Sequence, residues 1–232
     1  MSWRIGVDIG GTFTDVALVD EASGRIAVTK LLTTPDDFGR AVIDGLRQGL
    51  GQTGIDPTDV SLLAHATTVV TNALLEHKGA TAAFVGTRGF RDILELRRSS
   101  RADLYDLLLD PPAVLIPRRH RFEVTERIGA QGEVVTELAE EELPGLIEAI
   151  RASGARTVAV CLLFSFLNDS HERRLGAALR AALPDIRVFL SSEVLLEIRE
   201  FERVSTTAVC AVVGPVLASY LPHPLHVRQI AR

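Results

Sequence analysis

Near the N-terminus, Asp8-Ile9-Gly10-Gly11-Thr12-Phe13-Thr14-Asp15 gathers the residue types that can hold a polyphosphate. Glycine takes positive φ at no steric cost and, lacking Cβ, lets backbone N–H groups approach an anion closely. Thr12 adds a hydroxyl donor. Asp8 lies just before the turn, and a carboxylate beside phosphate is tolerable mainly when Mg²⁺ lies between them. Asp8 is therefore the metal-side candidate, and Gly10, Gly11 and Thr12 are the phosphate-side candidates. Two common nucleotide motifs are excluded. The chain has no Gly-x-x-x-x-Gly-Lys-Ser/Thr, and Gly6, Gly10 and Gly11 are not spaced as Gly-x-Gly-x-x-Gly. The competing reading of the same residues is an ordinary glycine hairpin with Asp8 as a solvated rim carboxylate.

A second group, His65, Thr67, Thr68, Thr71 and Asn72, sets five polar side chains in an aliphatic segment, where any that are buried need partners. Thr67 and Thr68 fall where a strand feeds a helix over 69–76, so they either bind an anion or carbonyl or simply cap that helix. The third group lies in an irregular stretch, 97–121, of the kind that is usually functional or a lid. Its Arg98, Arg101, Asp103 and Tyr105 suit an anionic or amide substrate, against the alternative of a solvated loop pinned by Leu104, Leu107 and Leu108. Cys161 and Cys210 stand far apart among apolar residues and read as core. His223 and His226 have metal-ligand spacing without a third ligand and read as a disordered end.

The elements that must position these groups follow from periodicity. Ile5, Val7 and Ile9 alternate with Gly6 and Asp8, a second strand runs from Phe13, and 25–32 forms a third, so three antiparallel strands open the chain. A helix entered at Thr34 or Asp36 places Phe38, Val42, Ile43, Leu46 and Leu50 on one face and closes at Gly49, Gly51 and Gly54. Strand 61–64 and helix 69–76 follow, then strand 81–85, short strands between 121 and 136, and helix 140–153. Strand 157–163, helix 170–182 and strand 186–190 suggest parallel pairing. A soft boundary is placed at 183–192. A last helix, 198–221, is kinked or stopped by Pro215; its Glu197, Arg199, Glu200 and Arg203 are either ion-pair or substrate-side groups or, the preferred reading, an exposed face.

With 232 residues the chain suits one or two domains. The net charge of −5 gives no general attraction to nucleic acid. No apolar run approaches the ~20 residues of a spanning helix, so no membrane partner is expected. Met1-Ser2-Trp3-Arg4 runs straight into the first strand without a signal-like segment, which points to a cytoplasmic protein.

Asp8 to Asp15 resembles the opening signature of the hydantoinase A/5-oxoprolinase family. The similarity continues through His65 to Leu75, Lys78-Gly79-Ala80, Arg101 to Leu107, Glu126-Arg127, Ala159 to Asn168 and Glu193 to Tyr220. Arg97 stands where that family commonly carries glycine, Ala66 likewise, and Cys210 where it more often has asparagine. The resemblance implies an α/β, actin-like (ribonuclease-H-like) ATPase half with a mixed sheet, flanking helices, and ATP and Mg²⁺ as cofactors. It also implies hydrolysis of a cyclic amide, activated by phosphorylation of its carbonyl oxygen. On that basis Asp8 holds Mg²⁺ or its water, Gly10, Gly11, Thr12 and Thr14 serve the nucleotide, and Asp15 orders the hairpin or a metal water. Thr67, Thr68 and Asn72 orient the amide, and Arg98, Arg101, Asp103 and Tyr105 recognise the substrate. The expected division is an N-terminal domain over 1–190, the start of a second domain over 191–221, and an unrelated tail over 222–232. A hydantoinase B-type subunit is the expected partner. Alternatives are a small-molecule kinase of the same fold and a truncated, partner-dependent fragment whose uncovered apolar surface would favour self-association.

Overall fold

The computed structural model describes residues 2–34, 37–98 and 113–220, with Asp103, Tyr105, Asp106, Leu108 and Leu109 between the last two segments. Arg101, His223 and His226 lie outside the described residues. The chain divides into two compact units, one formed by residues up to Lys78 together with the chain from Val216, the other by Gly79–Pro215.

The first unit is a mixed sheet of β1 (Trp3–Ile9), β2 (Phe13–Asp20), β3 (Ile26–Leu32) and β4 (Val60–Thr67), ordered β3-β2-β1-β4. β1, β2 and β3 pair antiparallel, and β4 runs parallel to β1. Alternation puts Trp3, Ile5, Val7, Ile9, Val16 and Leu18 on a buried face, where Val42, Leu46 and Leu50 of helix α1 (Phe38–Thr53) join them. The cap of α1 is Asp37, whose carboxylate accepts from the Arg40 N–H; Thr34 lies just before it and Asp36 lies outside the described residues. Gly49 and Gly51 lie inside the helix, and the helix ends at Gly54, which has φ +69°. For Gly45 and Gly49 the reason is packing: a Cβ there would come within 2.8 Å of Val16 or Leu18 on the sheet beneath, whereas one on Gly51 would meet nothing within 4 Å. Helix α2 (Val69–Leu75) follows β4.

The second unit holds a parallel sheet of β5 (Ala82–Thr87), β6 (Arg121–Val124), β9 (Thr157–Cys161) and β10 (Arg187–Leu190), ordered β10-β9-β5-β6. β5 and β9 are buried along their whole length, as central strands of a parallel sheet are. Between β5 and β6 lies α3 (Ile93–Leu96). Between β6 and β9 come the hairpin β7 (Arg127–Ile128) with β8 (Val134–Thr136) and helix α4 (Leu143–Ala152). Helix α5 (Ser170–Ala182) links β9 to β10, followed by α6 (Ser191–Val194) and α7 (Glu200–Tyr220).

α7 continues through Pro215, as the helix expected over 198–221 would, so of the two readings of that proline the stop is excluded. One expectation about α7 is corrected: among the described residues it is the one helix long and apolar enough, by length and composition, to cross a membrane. Its Arg203, Val204, Thr207, Ala208 and Ala211 are buried within the protein, so one face of the helix packs into the core. Arg97 adopts φ +54°, and this positive φ supplies the physical reason for a glycine preference at that position.

Candidate phosphate-binding hairpin

β1 and β2 meet at the tip Gly10-Gly11-Thr12, closed by the Gly10 N–H donating to the Phe13 carbonyl at 2.8 Å. Neither Gly10 nor Gly11 has positive φ, so the need for glycine there is one of space. A Cβ on Gly10 would lie 3.1 Å from the Phe13 carbonyl oxygen, and one on Gly11 would lie 2.8 Å from Asn72 Nδ2. The second contact places the Asn72 amide of α2 directly against the tip. Among the described residues, neither the Gly11 and Thr12 N–H groups nor the Thr12 hydroxyl makes a hydrogen bond. Gly11 and Thr12 are exposed.

The tip is held by residues that the sequence did not single out. The Thr33 N–H donates to the Thr12 carbonyl at 2.9 Å, and Thr33 Oγ1 donates to the Gly10 carbonyl at 3.0 Å. Because the one Thr33 hydroxyl proton is spent on Gly10, buried Thr14 must be the donor in its 3.0 Å bond to Thr33 Oγ1. Thr14 therefore points into the unit, away from the exposed tip, and secures the turn from beneath.

On the opposite, solvent-facing side of the sheet, Asp8 and Asp15 sit directly across from one another on β1 and β2. Lys30, facing Asp15 from β3, contacts both Asp15 carboxylate oxygens at 2.6 and 2.8 Å, and its ammonium lies 4.8 Å over the Phe13 ring. Asp8 is exposed and, among the described residues, its carboxylate makes no hydrogen bond or ion pair. Its charge is nevertheless felt next door: partial enclosure lowers the pKa of His65, and Asp8 works against that shift.

Thr67 and Thr68 serve the framework first. Thr67 Oγ1 accepts from the Val69 N–H at 3.1 Å, while the Thr68 N–H and hydroxyl both donate to the Ile9 carbonyl, at 3.0 and 3.3 Å. They tie the start of α2 to the end of β1, just before the tip. Asp8, Gly10, Gly11, Thr12, Asp15, Thr67, Thr68 and Asn72 are thus neighbours within one unit.

Arg98, Asp103 and Tyr105 belong to the other unit. Arg98 is paired with Glu202 at 2.5 Å, Asp103 Oδ1 accepts from the Tyr105 N–H at 2.9 Å, and Tyr105 is 94% exposed. At the end of the irregular stretch, fully buried Arg121 donates to the Ile116 carbonyl and reaches Glu95 at 2.9 Å, and Arg118 pairs with Asp92.

The second unit also contains a polar centre missing from the sequence reading. It lies past the carboxyl ends of β5 and β9, where the strand order reverses, the usual place for polar groups in a parallel sheet. Glu172, fully buried, accepts from the Leu162 and Ser192 N–H groups at 2.8 and 2.9 Å and from Ser165 and Ser191 at 2.8 and 2.6 Å. Arg203, also fully buried, donates to Ser191 at 2.5 Å, to Ser165, and to Glu200 at 2.7 Å. For Arg203 the preferred exposed face is thus wrong, and the ion-pair alternative holds, with Glu200 as partner. Burial raises the Glu200 pKa, with Arg203 opposing it. Beside this centre, buried Glu126 accepts from Thr87 and stands 2.8 Å from His171 Nδ1. The Ala159–Asn168 and Glu126-Arg127 similarities were the available signals. Cys161 is buried and its thiol is pushed up to about 12, in keeping with a core residue.

Comparison with known proteins places this architecture. The chain is 38% identical over 224 residues to an uncharacterized protein of Methanocaldococcus jannaschii and 36% identical over 225 residues to caprolactamase subunit alpha of Pseudomonas jessenii. These alignments cover 95% and 94% of the chain. The crystal structure of the ATP-dependent caprolactamase from P. jessenii superposes with a TM-score of 0.82 at 37% identity, over 94% of this chain and 32% of that one. A nucleotide-free acetone carboxylase superposes with a TM-score of 0.84 at 24% identity, over 91% of this chain and 32% of that one, a likeness of fold. The chain spans 32% of the length of both curated relatives. The model of the hydantoinase/oxoprolinase N-terminal region matches residues 4–183, covering the hairpin, α2 and strands β5, β6 and β9 of the parallel sheet, and the chain belongs to that family.

Proposed function

We propose that this chain is the N-terminal part of an ATP-dependent enzyme that opens a cyclic amide, built on an actin-like, ribonuclease-H-like ATPase fold. The observation that carries the reading is the hairpin tip: two adjacent N–H groups and a hydroxyl without partners among the described residues, near an exposed, unpaired carboxylate. The similarity to an ATP-dependent caprolactamase supports it. The donor set suits a nucleotide phosphate accompanied by Mg²⁺, with N–H and O–H donors for phosphate oxygens and a carboxylate for a hard cation.

An amide resists hydrolysis because nitrogen donates into its carbonyl, and phosphoryl transfer to the carbonyl oxygen removes that protection. Mg²⁺-ATP, when bound, supplies that phosphoryl group. The Gly11 and Thr12 N–H groups and the Thr12 hydroxyl hold the phosphate chain, with no reorganisation of the clamped tip. Asp8 holds the cation or its water, and Asp15 orders the hairpin from the adjacent strand. The Asn72 amide, fixed against Gly11, and the Thr67 and Thr68 lone pairs left over from their framework bonds orient the substrate. Arg98, Arg101, Asp103 and Tyr105 are the proposed substrate-recognition group of the other unit. A B-type subunit, a cytoplasmic location and the division at residue 190 complete the proposal.

A second reading has this chain binding nucleotide but turning over only with further polypeptide. Two facts favour it: the chain spans 32% of the length of the caprolactamase relative, and that relative is named as a subunit.

The mechanism is tested with caprolactam labelled with ¹⁸O at its carbonyl, supplied with Mg²⁺-ATP to this chain alone and with a complementing subunit. The expected result is ¹⁸O in the released phosphate, because the amide oxygen departs bonded to phosphorus. Unlabelled phosphate accompanied by ring opening would rule out phosphorylation of that oxygen.

A further inference from the structure

We infer that Lys30 is a positioning residue that divides the work of the two opposed hairpin carboxylates, an inference that rests on the hairpin reading above. Asp8 and Asp15 are cross-strand partners on one face of the sheet. Such partners lie about 5 Å apart at Cβ, and like charges placed there repel. Lys30 is the next residue in the same row, on β3, and it contacts both oxygens of Asp15 while its ammonium covers the Phe13 ring. The hairpin is therefore held from both faces by one short segment, from beneath by Thr33 through Thr14 and the Gly10 and Thr12 carbonyls, and from the solvent side by Lys30 through Asp15 and Phe13.

The consequence concerns charge. With Lys30 in place the row carries a single net negative charge, and that charge belongs to Asp8, the carboxylate without a partner among the described residues. A divalent cation is then met at Asp8 from one side, and it arrives with the phosphates rather than being chelated between two carboxylates beforehand. Asp15 is reserved for the ion pair that fixes β2 to β3. Lys30 thus sets which carboxylate meets the metal, without touching the metal itself.

The test is Mn²⁺ binding without nucleotide, read by electron paramagnetic resonance at low ionic strength, in Lys30→Met, Lys30→Arg and the double variant Lys30→Met/Asp15→Asn. Methionine keeps the apolar stem over Phe13 and removes only the charge. Lys30→Met is expected to bind Mn²⁺ about fivefold more tightly than wild type, the upper range for one exposed charge pair. Lys30→Arg is expected to match wild type. The double variant restores the single negative charge and is expected to return to within about twofold of wild type. A purely structural role for Lys30 would leave the double variant as altered as the single one. Unchanged Mn²⁺ affinity in Lys30→Met, or no return in the double variant, overturns the inference. Since no nucleotide is present, these outcomes are separate from the hairpin reading, which stands or falls on Mg²⁺-ATP binding by the wild type.

Discussion

Arg203→Met is expected to destabilise the protein by about 3–5 kcal/mol, the usual cost of removing one partner from a buried ion pair. Arg203 and Glu172 are both fully buried. Their closest approach is 3.9 Å, and the two are joined through Ser165 and Ser191, each of which bonds both side chains. Removing the guanidinium leaves Glu172 charged in the interior with only neutral donors. It also strips Glu200 of the cation that opposes its upward pKa shift. Urea denaturation measures the loss, and the double variant Arg203→Met/Glu172→Gln should recover part of it, because the charge left unpaired in the single variant is then absent. A change below about 1 kcal/mol would mean the network contributes little to stability.

Gly79→Ala is the second large effect, expected at about 1–3 kcal/mol or more as an overpacking substitution. A Cβ at Gly79 would sit 2.1 Å from Val212 Cγ1 and 3.0 Å from the Val212 carbonyl oxygen on α7. That carbonyl accepts from the Ala80 N–H at 2.8 Å, so α7 cannot move away without breaking the bond. Gly51→Ala provides the control. Gly51 lies inside α1 with nothing within 4 Å of its would-be Cβ, so alanine there should stabilise by about 0.5–1 kcal/mol. Paired thermal melts separate the two, and equal destabilisation of both variants would contradict the packing explanation.

How much of this was legible in the sequence depended on whether the controlling contact was local. The hairpin was readable because Ile5, Val7 and Ile9 alternate and Gly10-Gly11 ends the run, a pattern complete within a dozen residues. The face of α1 was readable for the same reason, although Gly49 looked like a terminator. Only the sheet beneath it, with Leu18 at would-be contact distance, shows why a glycine sits mid-helix. Of the two reasons read for the tip glycines, positive φ is not used, while the missing Cβ makes room for Asn72 and the Phe13 carbonyl, neighbours the sequence did not show. For Arg203 the pairing with nearby Glu200 was legible but its burial was not, because a charged residue on a helix ordinarily faces water and its other partners Ser165, Glu172 and Ser191 are 38, 31 and 12 positions away in the chain. Lys30 and Thr33 were invisible for a related reason. Their role arises from strand register, which joins β3 to the hairpin, and no motif encodes it.

The most direct test of the central claim is Mg²⁺-ATP binding measured by calorimetry on the folded chain, with Asp8→Ala as the comparison. The account predicts saturable binding by the wild type and an affinity lower by more than about tenfold in Asp8→Ala, since the hairpin carboxylate that is unpaired among the described residues is then missing. Undiminished binding in Asp8→Ala, or none by folded wild type, would contradict the assignment of this hairpin to the nucleotide phosphates.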